Sequence, residues 1–94
     1  METKIIFDGK QKRSVLFDGE REIGECTFEV KDEVWILNHT FVDKEYGGRG
    51  LAEDLVNSLA DEARKSGKKI HPTCLYATGI FEKYPEKYSD VHKK

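Results

Sequence analysis

The feature that most constrains this chain is a glycine cluster, Tyr46-Gly47-Gly48-Arg49-Gly50, set between a strand-like run and an amphipathic helix. Upstream, Val34-Trp35-Ile36-Leu37 is apolar at every position and continues through His39-Thr40-Phe41-Val42, as expected of a central strand covered on both faces. Downstream, Leu51, Ala52, Leu55, Val56, Leu59, Ala60 and Ala63 recur at the three- and four-residue spacing of one helix face. That helix should stop near Ser66-Gly67, since glycine suits the left-handed turn past a helix end. Where a strand turns into a helix over glycines, the backbone can bend tightly and come close to a ligand. The first helical N–H groups then remain free to bind oxygen anions. Two readings stand at this point. One is a pyrophosphate cradle, with Arg49, and Lys68 or Lys69 further on, adding charge-assisted contacts. The other is a plain glycine-rich turn before a surface helix. Gly47, Gly48 and Gly50 lack the spacing of the dinucleotide fingerprint, and no Gly-Lys-Ser/Thr is present to make a P-loop.

The rest of the chain supplies more strands around this unit. Ile5-Ile6-Phe7 and Ser14-Val15-Leu16-Phe17 are short β-type runs, and Asp18-Gly19 marks a hairpin turn. From Gly24 to Val30, apolar and polar residues alternate with a period of two, which directs Cys26 inward. A turn at Lys31-Asp32 leads into the apolar strand. After the helix, Lys69-Ile70-His71 makes a further strand, Ile80 to Tyr84 a short helix ended by Pro85, and the remainder a polar, frayed tail. The expected order is four strands, helix, strand, helix.

At 94 residues the chain holds one domain, 1–94, with no repeat or linker to divide it. Sixteen Lys and Arg against eighteen Asp and Glu give a formal charge of −2, so no basic field points to a nucleic acid. No apolar run is long enough to span a membrane, and the start, Met-Glu-Thr-Lys, is not that of a signal peptide. With two cysteines, Cys26 and Cys74, the expected setting is a reducing cytoplasm with both thiols free. Cys26, His39, His71 and Cys74 lack the close pairing of a structural zinc site, so no metal is expected.

Residues 42–52, Val-Asp-Lys-Glu-Tyr-Gly-Gly-Arg-Gly-Leu-Ala, resemble the acetyl-coenzyme A motif of the GNAT superfamily of acyltransferases. That motif is Arg or Gln, two free positions, Gly, one free position, then Gly or Ala. Gly50 and Ala52 match its last two fixed positions, whereas Gly47 stands where Arg or Gln is usual and offers only backbone. His39-Thr40, Pro72-Thr73-Cys74-Leu75-Tyr76 and Tyr84-Pro85-Glu86-Lys87-Tyr88 extend the similarity to the minimal single-domain GNAT-like family with a Pro-x-Cys motif. The resemblance implies a mixed α/β, truncated GNAT fold: about four N-terminal antiparallel strands, a main helix, a fifth strand and a short C-terminal helix. It also implies that the strand ending at Val42 and the strand through Ile70 splay apart, with acetyl-coenzyme A or coenzyme A in the wedge. Phe41 and Val42 would then face the pantetheine arm, with Gly47, Gly48, Arg49, Gly50, Leu51 and Ala52 around the pyrophosphate. The helices that usually build the acceptor site between the first two strands have no room at Asp8-Gly9-Lys10-Gln11-Lys12. The acceptor site is therefore open, absent or supplied by a partner, and the acceptor, an amine or a protein partner, is unnamed.

Three residues carry the candidate chemistry. Cys74 is a nucleophile, a wall of the thioester pocket or a small core residue; as nucleophile it would act as thiolate. His39 is a general base or a hydrogen-bonded structural residue. Tyr76 is an acid toward a departing thiolate or a packing aromatic. Thr40 has the same ambiguity, with a β-branched strand residue as the alternative. Trp35, Phe28 and Phe41 are read as core, and Lys83 or Tyr84 could reach the adenine end of the cofactor. The implied activity is transfer of acetyl to an amine, with a non-catalytic coenzyme A-binding or acyl-carrying module as the alternative.

Overall fold

A computed structural model describes residues 2–93. Strands β1 (Thr3–Asp8), β2 (Arg13–Asp18), β3 (Arg21–Lys31) and β4 (Val34–Val42) form an antiparallel meander, and β5 (Lys69–Pro72) adds in parallel to β4. The three turns are tight. Gly19 carries a positive φ between β2 and β3, as do Asp32 and Glu33 between β3 and β4, the backbone a two-residue hairpin needs. Helix α1 (Leu51–Lys65) is the crossover between β4 and β5 and lies across one face of the sheet. Its Leu51, Leu55, Val56, Leu59, Ala60 and Ala63 are buried, the set that the three- and four-residue spacing selects. Burying each leucine stabilises the fold by about 1.5–3 kcal/mol. Against them pack Leu16, Cys26, Phe28, Trp35, Leu37 and Ile70. Phe7, Phe28 and Trp35 form a triangle of near-parallel rings, with Phe28 and Trp35 centroids 4.2 Å apart.

Coverage of β4 differs from the expectation. Trp35 and Leu37 are buried, but Val34 and Ile36 are only half-buried, because the described helices cover one face of the sheet. The strand is interior, between β3 and β5, rather than in the middle of the sheet. Phe41, expected in the core, is 51% exposed. The reason is a bulge: Thr27 pairs with His39 and Phe28 with Leu37, leaving Asn38 as an extra residue in β4. Beyond it the alternation changes phase, so Thr40 and Val42 turn toward the helices while His39 and Phe41 turn away.

The C-terminal part also departs from the sequence reading. Helix α2 runs over Leu75–Lys83, starting five residues before Ile80, because extended Cys74 serves as its N-cap. Pro85 then opens α3 (Pro85–Tyr88) at its first turn, where a missing N–H does no harm. The tail is not frayed over the described residues. Tyr88 and Val91 are buried, Tyr88 stacks on Phe81, and the Ile70 N–H donates to the Val91 carbonyl at 2.6 Å. Residues 70 and 92 form a parallel bridge on the far edge of β5, and Arg64 holds Asp90 at 2.6 Å.

Candidate functional site

The site grows from the point where two strands part. β5 pairs with β4 only from Val34 to Leu37, ending at the Leu37–Pro72 register. There the Leu37 carbonyl accepts from the Thr73 N–H at 2.9 Å, the Thr73 hydroxyl at 3.2 Å and the Cys74 N–H at 3.4 Å. The chain then turns away into α2. β4 continues through residues 38–42 with no described strand on that side, which leaves an edge of backbone groups beside a gap.

One end of the gap leads to the glycine loop. Asp43 begins a single 3-10 turn, Lys44–Tyr46, by accepting from the Glu45 N–H at 3.0 Å, and its own N–H donates to the Ile23 carbonyl at 2.7 Å. The Tyr46 hydroxyl donates to Asp18 at 2.6 Å and ties the loop to the β2–β3 turn. That bond holds the Asp18 carboxyl below, and the Tyr46 phenol above, its ordinary range. Gly48 and Gly50 have φ of 76° and 75°, the left-handed backbone that other residues adopt at a cost of about 1–2 kcal/mol. Gly50 is the N-cap of α1, and no side chain caps that helix. The N–H groups of its first turn therefore point outward, beside open space where a β-carbon on Gly48 or Gly50 would lie. Gly47 has ordinary extended backbone, and a β-carbon there would come 3.2 Å from the Lys44 carbonyl. Arg49 and Leu51 flank this turn, exposed and buried respectively, and Ala52 is half-buried.

Cys74 lies at the other wall of the gap, half-buried. Its Sγ accepts from the Ala77 N–H at 3.5 Å, the N-cap contact of α2, and lies 3.6 Å from the Thr40 hydroxyl. That hydroxyl is also 3.6 Å from the Cys26 Sγ, so Thr40 stands between the two free thiols. Cys26 is fully buried, and burial pushes its thiol up to about 12, which keeps it uncharged and inert. Tyr76, 40% exposed, sits on the first turn of α2; burial, then Glu53 and Asp54 of α1, raise its hydroxyl above the ordinary tyrosine range. Its hydroxyl stays protonated at neutral pH.

Not every expected residue converges. His39 is separated from Cys74 by the sheet: it pairs with Thr27 and faces out, its Nε2 3.8 Å from Glu25 and its ring parallel to Phe41 with centroids 6.5 Å apart. Lys69 pairs with Val34, at the end of β4 remote from the glycine loop, and its ammonium is occupied by the Asp90 carbonyl. Lys83 and Lys87 bracket the Tyr84 ring at 5.4 and 5.9 Å, beside a surface depression of 440 Å³. Among the described residues no group of three or more His, Cys, Asp or Glu is arranged to hold a metal, and no helix is long and apolar enough to cross a membrane. Sequence reasoning missed Asn38, Asp43 and Gly24. A β-carbon on Gly24 would meet the Phe41 carbonyl at 2.7 Å, so this glycine is what lets β3 press against the end of β4. Only Asp43 had a readable signal, as an N-cap residue type ahead of a turn.

Known proteins share the fold. Residues 13–91 match the family described as GCN5-related N-acetyl-transferase. A solution structure of a GCN5-like putative N-acetyltransferase from Staphylococcus aureus superposes with a TM-score of 0.75 and 27% identity, over 96% of this chain and 87% of that one. A Trypanosoma brucei acetyltransferase gives 0.58 at 19% identity, over 80% of this chain and 62% of that one. A ribosomal-protein-alanine N-acetyltransferase from Brucella melitensis gives 0.56 at 15%, over 76% and 58%. The chain thus spans about three fifths of these last two proteins, whose likeness is one of fold. No curated protein matches the sequence. The meander, the crossover helix and the parallel fifth strand are a truncated form of the fold these structures share, and the chain belongs to the GCN5-related N-acetyltransferase family.

Proposed function

We propose that this chain, as a single domain, transfers acetyl from acetyl-coenzyme A to an amine. The observation that carries the reading is the gap after the Leu37–Pro72 register, which has the uncapped α1 N-terminus at one end and Cys74 at the wall. The residues fit the co-substrate. The N–H groups of Gly48 to Ala52 suit a pyrophosphate, and the glycines at 48 and 50 leave its approach unobstructed. The open edge of residues 38–42, with Phe41 and Val42, suits the amides of a pantetheine arm, much as an added strand would. Bound there, the thioester would lie beside Cys74.

Cys74 then acts either as acyl acceptor or as pocket wall. As acceptor its sulfur attacks the thioester carbonyl as thiolate, coenzyme A leaves as thiolate, and the amine later displaces the cysteine sulfur, which takes up the proton the nitrogen loses as the amide forms. Thr40 orients the sulfur, and Tyr76 can return a proton to the leaving thiolate. Two free thiols suit a reducing, cytoplasmic setting.

A second reading, a coenzyme A-binding or acyl-carrying module without turnover, is favoured by one observation. β1 and β2 are joined by a turn at residues 9–12, so no helix between them covers the outer face. Intact-protein mass spectrometry with acetyl-coenzyme A, on the native chain and on Cys74→Ser, tests both readings beside a coenzyme A titration followed by NMR. A labile acetyl adduct lost in the variant supports the covalent route. Binding and amine acetylation without an adduct support direct transfer. Binding without acetylation of any offered amine supports the module, and absence of binding overturns both.

A further inference from the structure

On the outer face of the sheet, opposite the helices, Glu25 and His39 form a polar pair beside an exposed aromatic ring. Arg13 Nη1 lies 2.9 Å from Glu25 Oε1 and 2.9 Å from Glu22 Oε2, so one guanidinium serves two carboxylates and leaves one negative charge in excess. Arg13 leaves the second Glu25 oxygen, Oε2, to face His39 Nε2 at 3.8 Å, too far for a hydrogen bond. A donor lying above the pair can reach both atoms at hydrogen-bond length. Glu25 is paired directly with Phe41, whose half-exposed ring runs parallel to the imidazole and gives an alkyl stem or a cation a surface to rest on. His39 and Phe41 stand on the stretch of β4 that has lost its β5 neighbour, with Glu25 beside them on β3, so the rim of the gap is also the rim of this patch.

We propose that Glu25, with His39 and Phe41, docks a primary alkylammonium group, and that Glu25 makes the chain select cationic amine acceptors over neutral ones. As an acceptor site the dock rests on the acyltransferase reading; as a binding site it does not. In the transfer, the docked ammonium loses one proton to water and crosses the rim of the gap as the free amine. The nitrogen then bonds to the acetyl carbon, the carbon–sulfur bond breaks, and the nitrogen's second proton leaves with the sulfur. Glu25 takes no proton and acts as a positioning residue.

The test uses the full chain, amide NMR, and two probes of equal size, n-butylammonium and neutral n-butanol. Butylammonium should give saturable shifts at residues 25, 27, 39 and 41, and butanol none. Glu25→Gln should weaken butylammonium binding about tenfold, as expected for loss of one charge-assisted hydrogen bond. Arg13→Gln, which leaves both carboxylates without their guanidinium, should strengthen it. Equal response to both probes in the native chain, or unchanged affinity in a folded Glu25→Gln variant, overturns the dock. A coenzyme A titration of the same samples, read at residues 47–52, keeps the two readings apart. Coenzyme A shifts without butylammonium shifts remove the dock alone, whereas the reverse removes the acyltransferase reading and leaves the dock standing.

Discussion

The two faces of β4 are built from the same run of sequence and do opposite things. Trp35, Leu37, Thr40 and Val42 look toward the helices, where apolar side chains close over them and the one hydroxyl is held between two thiols. Ile36, His39 and Phe41 look the other way, half-buried or exposed, beside the charged groups of Glu25 and Arg13. One inserted residue, Asn38, decides which of residues 39–42 falls on which side. The helix-side face stores the stability, and the outer face is free to carry polar groups that a closed core would exclude. Substitutions should therefore separate into those that unfold the chain and those that only change what it binds.

The largest contrast is expected between neighbours. Leu37→Ala removes a fully buried side chain and should destabilise by about 2–5 kcal/mol, whereas Ile36→Ala, half-exposed on the outer face, should lose less than about 1.5 kcal/mol. Urea unfolding of the pair measures this, and equal losses would mean that the outer face is covered in solution. An alkaline ramp probes the helix side by another route. The Cys26 thiol is raised by burial from 9.0 to about 12, so its contribution is full below pH 9 and is lost as pH climbs toward 12. Buried Tyr88, raised from 10.0 to about 12, adds in the same direction. Cys26→Ala should flatten that fall, read as the midpoint of urea unfolding at pH 8 and pH 11.

Gly24→Ala comes next. Its β-carbon would meet the Phe41 carbonyl at 2.7 Å, and the strain should be about 1–3 kcal/mol, together with weaker coenzyme A binding because the displaced backbone belongs to the open edge of β4. Gly50→Glu should do the reverse in proportion. Its strain is about 1–2 kcal/mol, with no steric clash, yet a carboxylate would stand where phosphates approach, so coenzyme A binding should vanish from calorimetry while the thermal transition survives. Unchanged affinity in that folded variant would count against the cradle.

These contrasts also mark how far the sequence could be read. The apolar period of residues 51–63 and the glycines after Tyr46 specify their own local geometry, so α1 and its loop were legible without knowledge of the rest. The bulge was not. Asn38 reads as one more polar strand residue, and its effect depends on register with β3, a property of two segments. The same holds for Gly24, whose need to be glycine comes from a carbonyl seventeen residues on. The start of α2 was hidden because cysteine is not a usual N-cap, and the order of the tail because its contacts, to Ile70 and Arg64, are long-range. His39 was a candidate general base, and the change of phase sends it to the face opposite Cys74.

Thr40→Val isolates what the helix-side face contributes to chemistry rather than to stability. Valine keeps the volume of threonine, so the cost is that of the hydroxyl's weak bonds to sulfur, about 1 kcal/mol. What disappears is the hydroxyl standing 3.6 Å from each sulfur. A hydroxyl that donates to the Cys74 sulfur stabilises charge there as it forms, so its removal should slow alkylation of Cys74 by iodoacetamide by several-fold. Cys26, buried and held protonated, should remain unmodified in both proteins until the chain unfolds, which provides an internal control within a single mass spectrum. An unchanged rate would mean that the hydroxyl donates instead toward Cys26, and that the Ala77 N–H alone sets the reactivity of Cys74.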